Sequence, residues 1–302
     1  IRCSSLGPNL TLAAMPSVEF SFMNHVIRIM SLLRESPAAM IGVGLTGGWV
    51  CLALFAPIFT SFGPNAQDFS ALADPTPGWF FSNHWLGTDH LGRDIWARLI
   101  WGSRIVLTLV PASILTAYIV GSTMGMVAGY FGGWVDDVIN FISDVVLSFP
   151  VLILYIILII SFGPSPLNIV FAVTFVSSPG ISRIVRGLVF EIRTKEFVDA
   201  AKIRGENPLF IMIVEQLPNI RGPLIVDACL RMGYTTITIG VLGFLGLGLP
   251  PPDPDWGGMV KETSGLIMIW PHMAIAPCLA ISSLVIGFNL LADGIHEISI
   301  KD

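Results

Sequence analysis

The sequence predicts an all-α, polytopic membrane protein with about six transmembrane helices. Three observations predict it. Apolar intervals free of charge recur along the chain, each near the roughly 20 residues that a spanning helix needs. Hydrophobic residues make up 53% of the sequence and charged residues only 12%, with a mean hydropathy of +0.76, well outside the range of ordinary soluble domains. Glycine-proline clusters and short charged stretches separate the intervals.

The elements follow in order. Residues 1–37 read as a polar N-terminal tail in which Arg28 and Arg34 precede the first apolar run, with residues 1–22 as an upstream extension. Residues 38–62 form the first span, Ala38 to Phe62, which is longer than a cleavable signal core and reads as a retained anchor. Residues 63–104 form an external loop. In it Leu91, Ile95 and Leu99 repeat at helical spacing beside Trp85, Trp96 and Trp101, which predicts a helix lying flat on the membrane surface. Residues 105–293 form the core, with spans at Ile105 to Tyr130, Val138 to Phe162, Leu167 to Leu188, Pro223 to Leu249 and Met273 to Ala292. Gly132, Gly133, Asp136 and Asp137 mark a tight polar turn, and Gly163-Pro164-Ser165-Pro166 divides the third span from the fourth. A polar loop at 189–222 interrupts the core, and residues 294–302 are the C-terminus.

Positive charge sets the orientation. The loop after the fourth span gathers Arg183, Arg186, Arg193, Lys195, Lys202, Arg204 and Arg221, which places it and the arginine-bearing N-terminal tail in the cytoplasm. An even number of spans puts the C-terminus, with Lys301, on the same side. Arg93, Arg98 and Arg104 fall outside in this topology. Asp89 and Asp94, four residues before Arg93 and Arg98, are expected to pair with them.

Several functions are excluded. A formal charge of -5, from 16 basic and 21 acidic residues, leaves no basic surface for a nucleic-acid partner. Cys3, Cys51, Cys229 and Cys278 are scattered and form neither a disulfide framework nor a zinc pattern. The lysines follow Thr, Ala, Val and Ile rather than the glycine of a phosphate-binding loop, so this chain is not expected to hydrolyse ATP. His25, His84, His90, His272 and His296 are dispersed, without a metalloprotease or nucleophile-elbow pattern. His84, Asp89, His90 and Asp94 could gather around a metal, but capping and pairing is the preferred reading, and no metal site or catalytic residue is assigned.

The most informative stretch runs from Glu196 to Pro218. Thr194 suits an N-cap, Glu196 and Asp199 lie early where the helix dipole favours acids, Lys202 and Arg204 lie late, and Gly205 suits the left-handed cap. Asn207 and Pro208 then open a second helix. Ala200 and Ala201 leave a slim face, with Phe197, Val198, Ile203, Leu209 and Phe210 as apolar knobs suited to a protein partner. This segment resembles the cytoplasmic EAA loop of ABC importer permeases, with Asp199, Ala200, Ala201, Gly205, Leu217 and Pro218 at the matching positions. Asp199 replaces the pattern's glutamate and Glu215 its isoleucine.

Three further segments carry the same resemblance, to the permeases of the dipeptide, oligopeptide and nickel importer family. They are Gly87, Thr88, Asp89, Gly92, Arg93 and Asp94, similar to a GTDxxGRD signature, then the segment from Leu242 to Val260, and the ending from Phe288 to Ile295. The resemblance runs from about Arg34 onward. It implies a MetI-like, type I importer fold in a bacterial inner membrane and a homologous permease subunit as partner, most simply as a heterodimer. It also implies two cytoplasmic ATPase subunits that hold ATP and Mg, and an extracytoplasmic solute-binding protein. Glu196, Phe197, Asp199, Ala200, Ala201, Gly205, Leu217 and Pro218 would then couple the ATPases to the spans, with Pro218 ending the loop. Substrates in this family include peptides and nickel complexes.

Ionisable residues within spans are functional candidates by default. Asp227 and Arg231 stand four apart on the fifth span, either lining the passage or neutralising each other as a structural pair. Asp144 and Asp293 lie near span ends. Gly121, Gly125, Gly129 and Gly133 form a ladder that predicts close approach of another helix. In the proline-rich loop after the fifth span, Asp253 and Trp256 are candidates for gating or for receiving a delivery protein. The alternative function is a proton- or ion-coupled secondary transporter working without an ATPase, with Asp227, Arg231 or Asp144 as carriers. It leaves the capped cytoplasmic hairpin without a purpose.

Overall fold

A computed structural model describes residues 36–72, 74–78 and 83–301. The N-terminal tail with Arg28 and Arg34, and the extension expected at residues 1–22, lie outside the described residues. Helices are α1 Pro37–Leu54, α2 Ile95–Phe131, α3 Gly133–Leu147, α4 Val151–Phe162, α5 Pro166–Ile192, α6 Glu196–Ile203, α7 Pro208–Leu245, α8 Trp256–Thr263 and α9 His272–Lys301. Five of these are long and apolar enough to cross a membrane, and a sixth span results if α3 and α4 count as one broken span. The all-α expectation holds.

Two elements differ from the expectation. The segment before the second span is not a separate flat helix, because Ile95 begins a continuous 37-residue helix capped by Asp94, whose side chain accepts from Ala97 N. Ile95 and Leu99, 1% and 3% exposed, face the core rather than the membrane surface. The third span is bent by 86° between α3 and α4, where Pro150 has no N–H to carry the helix forward. Residues 294–301, within the expected C-terminal segment, continue α9.

Glycine sets close packing between α2 and α5. A Cβ at Gly121 would lie 2.7 Å from Ile181 Cβ, at Gly125 2.5 Å from Ser182 O, and at Gly129 2.8 Å from Val189 Cβ. These glycines let the two backbones approach, as the ladder predicts. Gly133 does not belong to it: its φ is +55°, it begins α3, and it faces open space. The same device joins α1 to α9, where a Cβ at Gly42 would meet Leu291 N at 2.7 Å, and Trp49 Nε1 donates to Ser283 Oγ at 2.8 Å.

The main core lies at the end of the bundle where α2 begins, with Ile95, Leu99, Trp256, Met259, Met273 and Leu284 all buried. Four long helices each contain an interior proline: Pro111, Pro179, Pro223 and Pro277. Each removes one backbone hydrogen bond and makes its helix bend more easily there.

Candidate functional site

α6 and the start of α7 form a hairpin at the opposite end from that core. Lys195, not Thr194, occupies the N-cap of α6, and no side chain caps it. Glu196 and Asp199 stand in the first turn and Lys202 in the last, as the helix dipole favours. Gly205 takes φ +78°, a conformation that β-carbon residues rarely adopt, and the chain reverses there. Asn207 Oδ1 then accepts from Phe210 N at 2.7 Å and Pro208 starts α7, so the second cap is where the sequence puts it.

The hairpin has a fastened side and an open side. Val198 and Ala201, both 0% exposed, pack with Ile211 against Tyr130 at the end of α2, and Phe197 borders them. Ala200, Glu196 and Asp199 face outward, together with Ile203 at 87% and Leu209 at 64% exposure. The slim face expected from both alanines therefore reduces to Ala200. Ala201 serves the internal contact, because residues one apart on a helix point in different directions.

Arg204 Nη2 lies 2.8 Å from Glu215 Oε1 and so ties the two arms together. Glu215, which departs from the family pattern, is thus answered within the hairpin. Between the arms and the span, residues Ile211–Gln216 form π-helical turns, a geometry usually found in short pieces at functional positions. Gln216 is fully buried, and its amide has no hydrogen-bond partner among the described residues. Leu217 is half-buried and Pro218 exposed. Pro218 does not end a loop, since α7 runs through it into the span.

Asp227 and Arg231 do pair: Arg231 Nε donates to Asp227 Oδ2 at 2.6 Å, and the Tyr118 hydroxyl donates to the same oxygen. Other arginines are neutralised on the α3–α5 contact. Arg186 Nη2 lies 2.5 Å from Asp136 Oδ2, and Arg183 pairs with Asp144. Both arginines, counted above as loop charge, belong to α5, and Asp293 is exposed on α9.

At the other end, Asp89 Oδ2 accepts from Arg93 Nε and from Arg98 Nη1, each at 2.6 Å. Glu262 Oε2 accepts from Arg93 Nη2 at 2.6 Å and from Arg98 Nη1 at 3.1 Å. Two cations and two anions thus neutralise each other and bind the start of α2 to α8. Burial alone would raise Asp89, but the Arg93 and Leu91 N–H groups and both guanidiniums hold it below the usual carboxylate range. Asp94 does not pair with Arg98. It caps α2 and meets His84 Nδ1 at 3.0 Å, and burial keeps it above the usual range. Arg104 donates to Ala53 O and Leu54 O at the end of α1.

Asp253 is exposed in the proline-rich loop. Trp256 is 1% exposed, donates from Nε1 to Leu99 O at 3.0 Å and packs 4.9 Å from the Trp49 ring. A side chain so enclosed holds the core of this chain. Beside it, Asp255 caps α8 through Gly257 N and Gly258 N, and burial pushes its carboxyl up to about 6.

Sequence reasoning missed Glu262, Tyr118 and Gln216. Glu262 and Tyr118 act on partners 164 and 109 residues away, beyond any local spacing. The run around Gln216 carries no local sign of its burial.

The comparisons with known proteins agree with this architecture. The family described as "Binding-protein-dependent transport system inner membrane component" matches residues 121–302. The dipeptide transport system permease protein DppC of Alkalihalophilus pseudofirmus is 35% identical over 266 residues, covering 88% of this chain and 86% of its own. The glutathione transport system permease protein GsiD of Pectobacterium atrosepticum is 40% identical over 216 residues, 72% of each chain. DppC of Haemophilus influenzae is 32% identical over 267 residues, 87% of this chain and 90% of its own. This chain belongs to the family of multi-pass inner-membrane permease subunits of binding-protein-dependent ABC importers.

Proposed function

We propose that this permease forms one half of a pathway for short peptides or peptide-like solutes such as glutathione, beside a homologous permease subunit. Two ATPase subunits in the cytoplasm bind ATP and Mg and grip the α6–α7 hairpin, while an extracytoplasmic binding protein delivers solute to the end of the bundle that carries α8. Both termini are then cytoplasmic, and this chain itself holds no cofactor and carries out no chemical step. The single observation that carries this reading is the hairpin: Ala200, Ile203 and Leu209 are presented outward on a segment whose other side is locked onto α2. An exposed apolar patch held on a rigid support suits a protein partner.

Motion follows from continuity. α7 carries any displacement of the hairpin through its π-helical turns directly into the span, and the interior prolines give the long helices places to bend. Closure of the ATPases would shift the bundle between two arrangements of the same packed elements.

Proteoliposomes decide between this reading and a lone secondary transporter. With the complete assembly, ATP inside and loaded binding protein outside, solute accumulates. With this chain alone and an imposed proton gradient, none does. Accumulation by the lone chain would overturn the proposal.

A further inference from the structure

A cavity of about 270 Å³ opens at the bend between α3 and α4 and is walled by α5 and α7. Gly180, on its wall, is at the middle of the 27-residue α5, a helix long and apolar enough to cross a membrane, so the cavity lies about midway along that span. Its lining combines the apolar Leu147 and Val151, which flank the bend, with the polar Tyr155, Ser177, Tyr234 and Thr238 and one cation, Arg231. Broken helices and polar side chains at that depth are tolerated where they border a water-filled path.

Arg231 is arranged to give one edge of its guanidinium and keep the other. Nε serves Asp227, whose Oδ2 is also held by Tyr118. Nη1 and Nη2 lie 3.6 Å from the place a Cβ on Gly180 would occupy, so the missing side chain leaves room directly in front of them. A planar two-donor edge at the wall of a polar cavity matches a carboxylate. Asp227 meets Arg231 at Nε and, among the described contacts, not at the Nη edge.

We propose that this groove is a transit subsite for the carboxylate end of the solute, with the Nη edge of Arg231 as its anchor. The inference rests on the importer reading and adds to it a chemical class and a place. The volume lies just below the range of roughly 300–1,000 Å³ usual for small-molecule sites, which suits one end of a short peptide and not the whole of it. Tyr234, 68% exposed, stands at the mouth, where its ring can stack on the passing chain. A single charge-assisted contact gives weak, reversible holding, as a path requires: the solute must enter and also leave.

The test uses the complete assembly with the other cysteines of this chain replaced by serine and Thr238→Cys introduced on the cavity wall. Protection of that thiol from a water-soluble thiosulfonate is measured with dialanine and with dialanine amide. Dialanine should protect at a concentration on the order of 10-fold lower than the amide. Arg231→Gln should remove that difference, and Gly180→Leu, which fills the space while leaving the Asp227–Arg231 pair intact, should remove protection by either solute. Equal protection by the two solutes with Arg231 present, or no protection by either, overturns the proposal. ATP-driven uptake by the same Thr238→Cys assembly reads the importer function separately, so failure of the subsite and failure of the importer reading are distinguishable.

Discussion

Arg204 and Glu215, eleven residues apart, meet at 2.8 Å across the reversal at Gly205. The pair fastens the end of α6 to the π-helical turns of α7, so force on the hairpin reaches the span without crossing a slack loop. At 52% and 24% side-chain exposure, it adds no more than about 1 kcal/mol to stability. Arg204→Ala and Glu215→Ala should therefore leave the thermal midpoint nearly unchanged while lowering solute transported per ATP hydrolysed. The double charge swap, Arg204→Glu with Glu215→Arg, should recover part of that ratio. Normal coupling in both single variants would remove the pair from the mechanism.

The α2–α5 contact allows a sharp contrast between two glycines. Gly125→Ala places a methyl 2.5 Å from Ser182 O and should destabilise by about 1–3 kcal/mol through overpacking, and Gly125→Leu should prevent accumulation of folded protein. Gly187→Ala, on α5 with open space around it, should be neutral or stabilising by up to roughly 1 kcal/mol. Thermal midpoints of the purified variants in detergent check both.

Asp255 predicts a pH dependence of unusual sign. Its carboxyl is raised to about 6 by burial, above the ordinary value near 4, so the folded state binds the proton more tightly than the unfolded chain. Its stabilising contribution is complete below pH ~4 and is lost as pH rises through about 6. Asp89 and Glu262, held below their usual values by Arg93 and Arg98, act oppositely: their contribution is present at neutral pH and is lost as pH falls. Asp255→Asn keeps an N-cap side chain and removes the titration. The variant's midpoint, relative to wild type, should rise between pH 4.5 and 7.5 by an amount equivalent to on the order of 1–3 kcal/mol. A difference constant across that interval would refute the assignment.

Among the described residues, both polar atoms of the fully buried Gln216 amide are without a hydrogen-bond partner, a cost of about 1–3 kcal/mol. Gln216→Met, similar in length and apolar, should raise the thermal midpoint. If the π-helical turns rearrange during transport and give the amide a partner, the same variant should slow uptake. A midpoint lower than wild type would show that the amide is already satisfied in the resting protein.

Much of this fold is legible in the sequence, because the membrane demands long charge-free intervals and few other arrangements satisfy the backbone there. The hairpin is legible for a local reason: Gly205, Asn207 and Pro208 fix the turn by their own conformational preferences. What escapes is whatever depends on a distant partner. Arg98 and Arg104 look like the edge of an apolar interval, yet Glu262 and the carbonyls of Ala53 and Leu54 neutralise or bind them, so α2 begins near Ile95 rather than at Ile105. Ala200 and Ala201 are chemically identical, and only packing against Tyr130 and Ile211 assigns one to the interior. Trp256 reads as an exposed loop aromatic until Leu99 O and the Trp49 ring enclose it. Asp227 and Arg231 are found by their spacing, whereas the donor from Tyr118 and the gap at Gly180 are not.

The coupling claim is tested most directly at Ile203, which is 87% exposed. In the intact assembly, Ile203→Cys should crosslink to an ATPase subunit, and Ile203→Asp should abolish ATPase retention and ATP-driven uptake while the permease still inserts and keeps its thermal midpoint. Full uptake by Ile203→Asp, with no crosslink from Ile203→Cys, would contradict the hairpin's role as the joint between nucleotide cycle and membrane path.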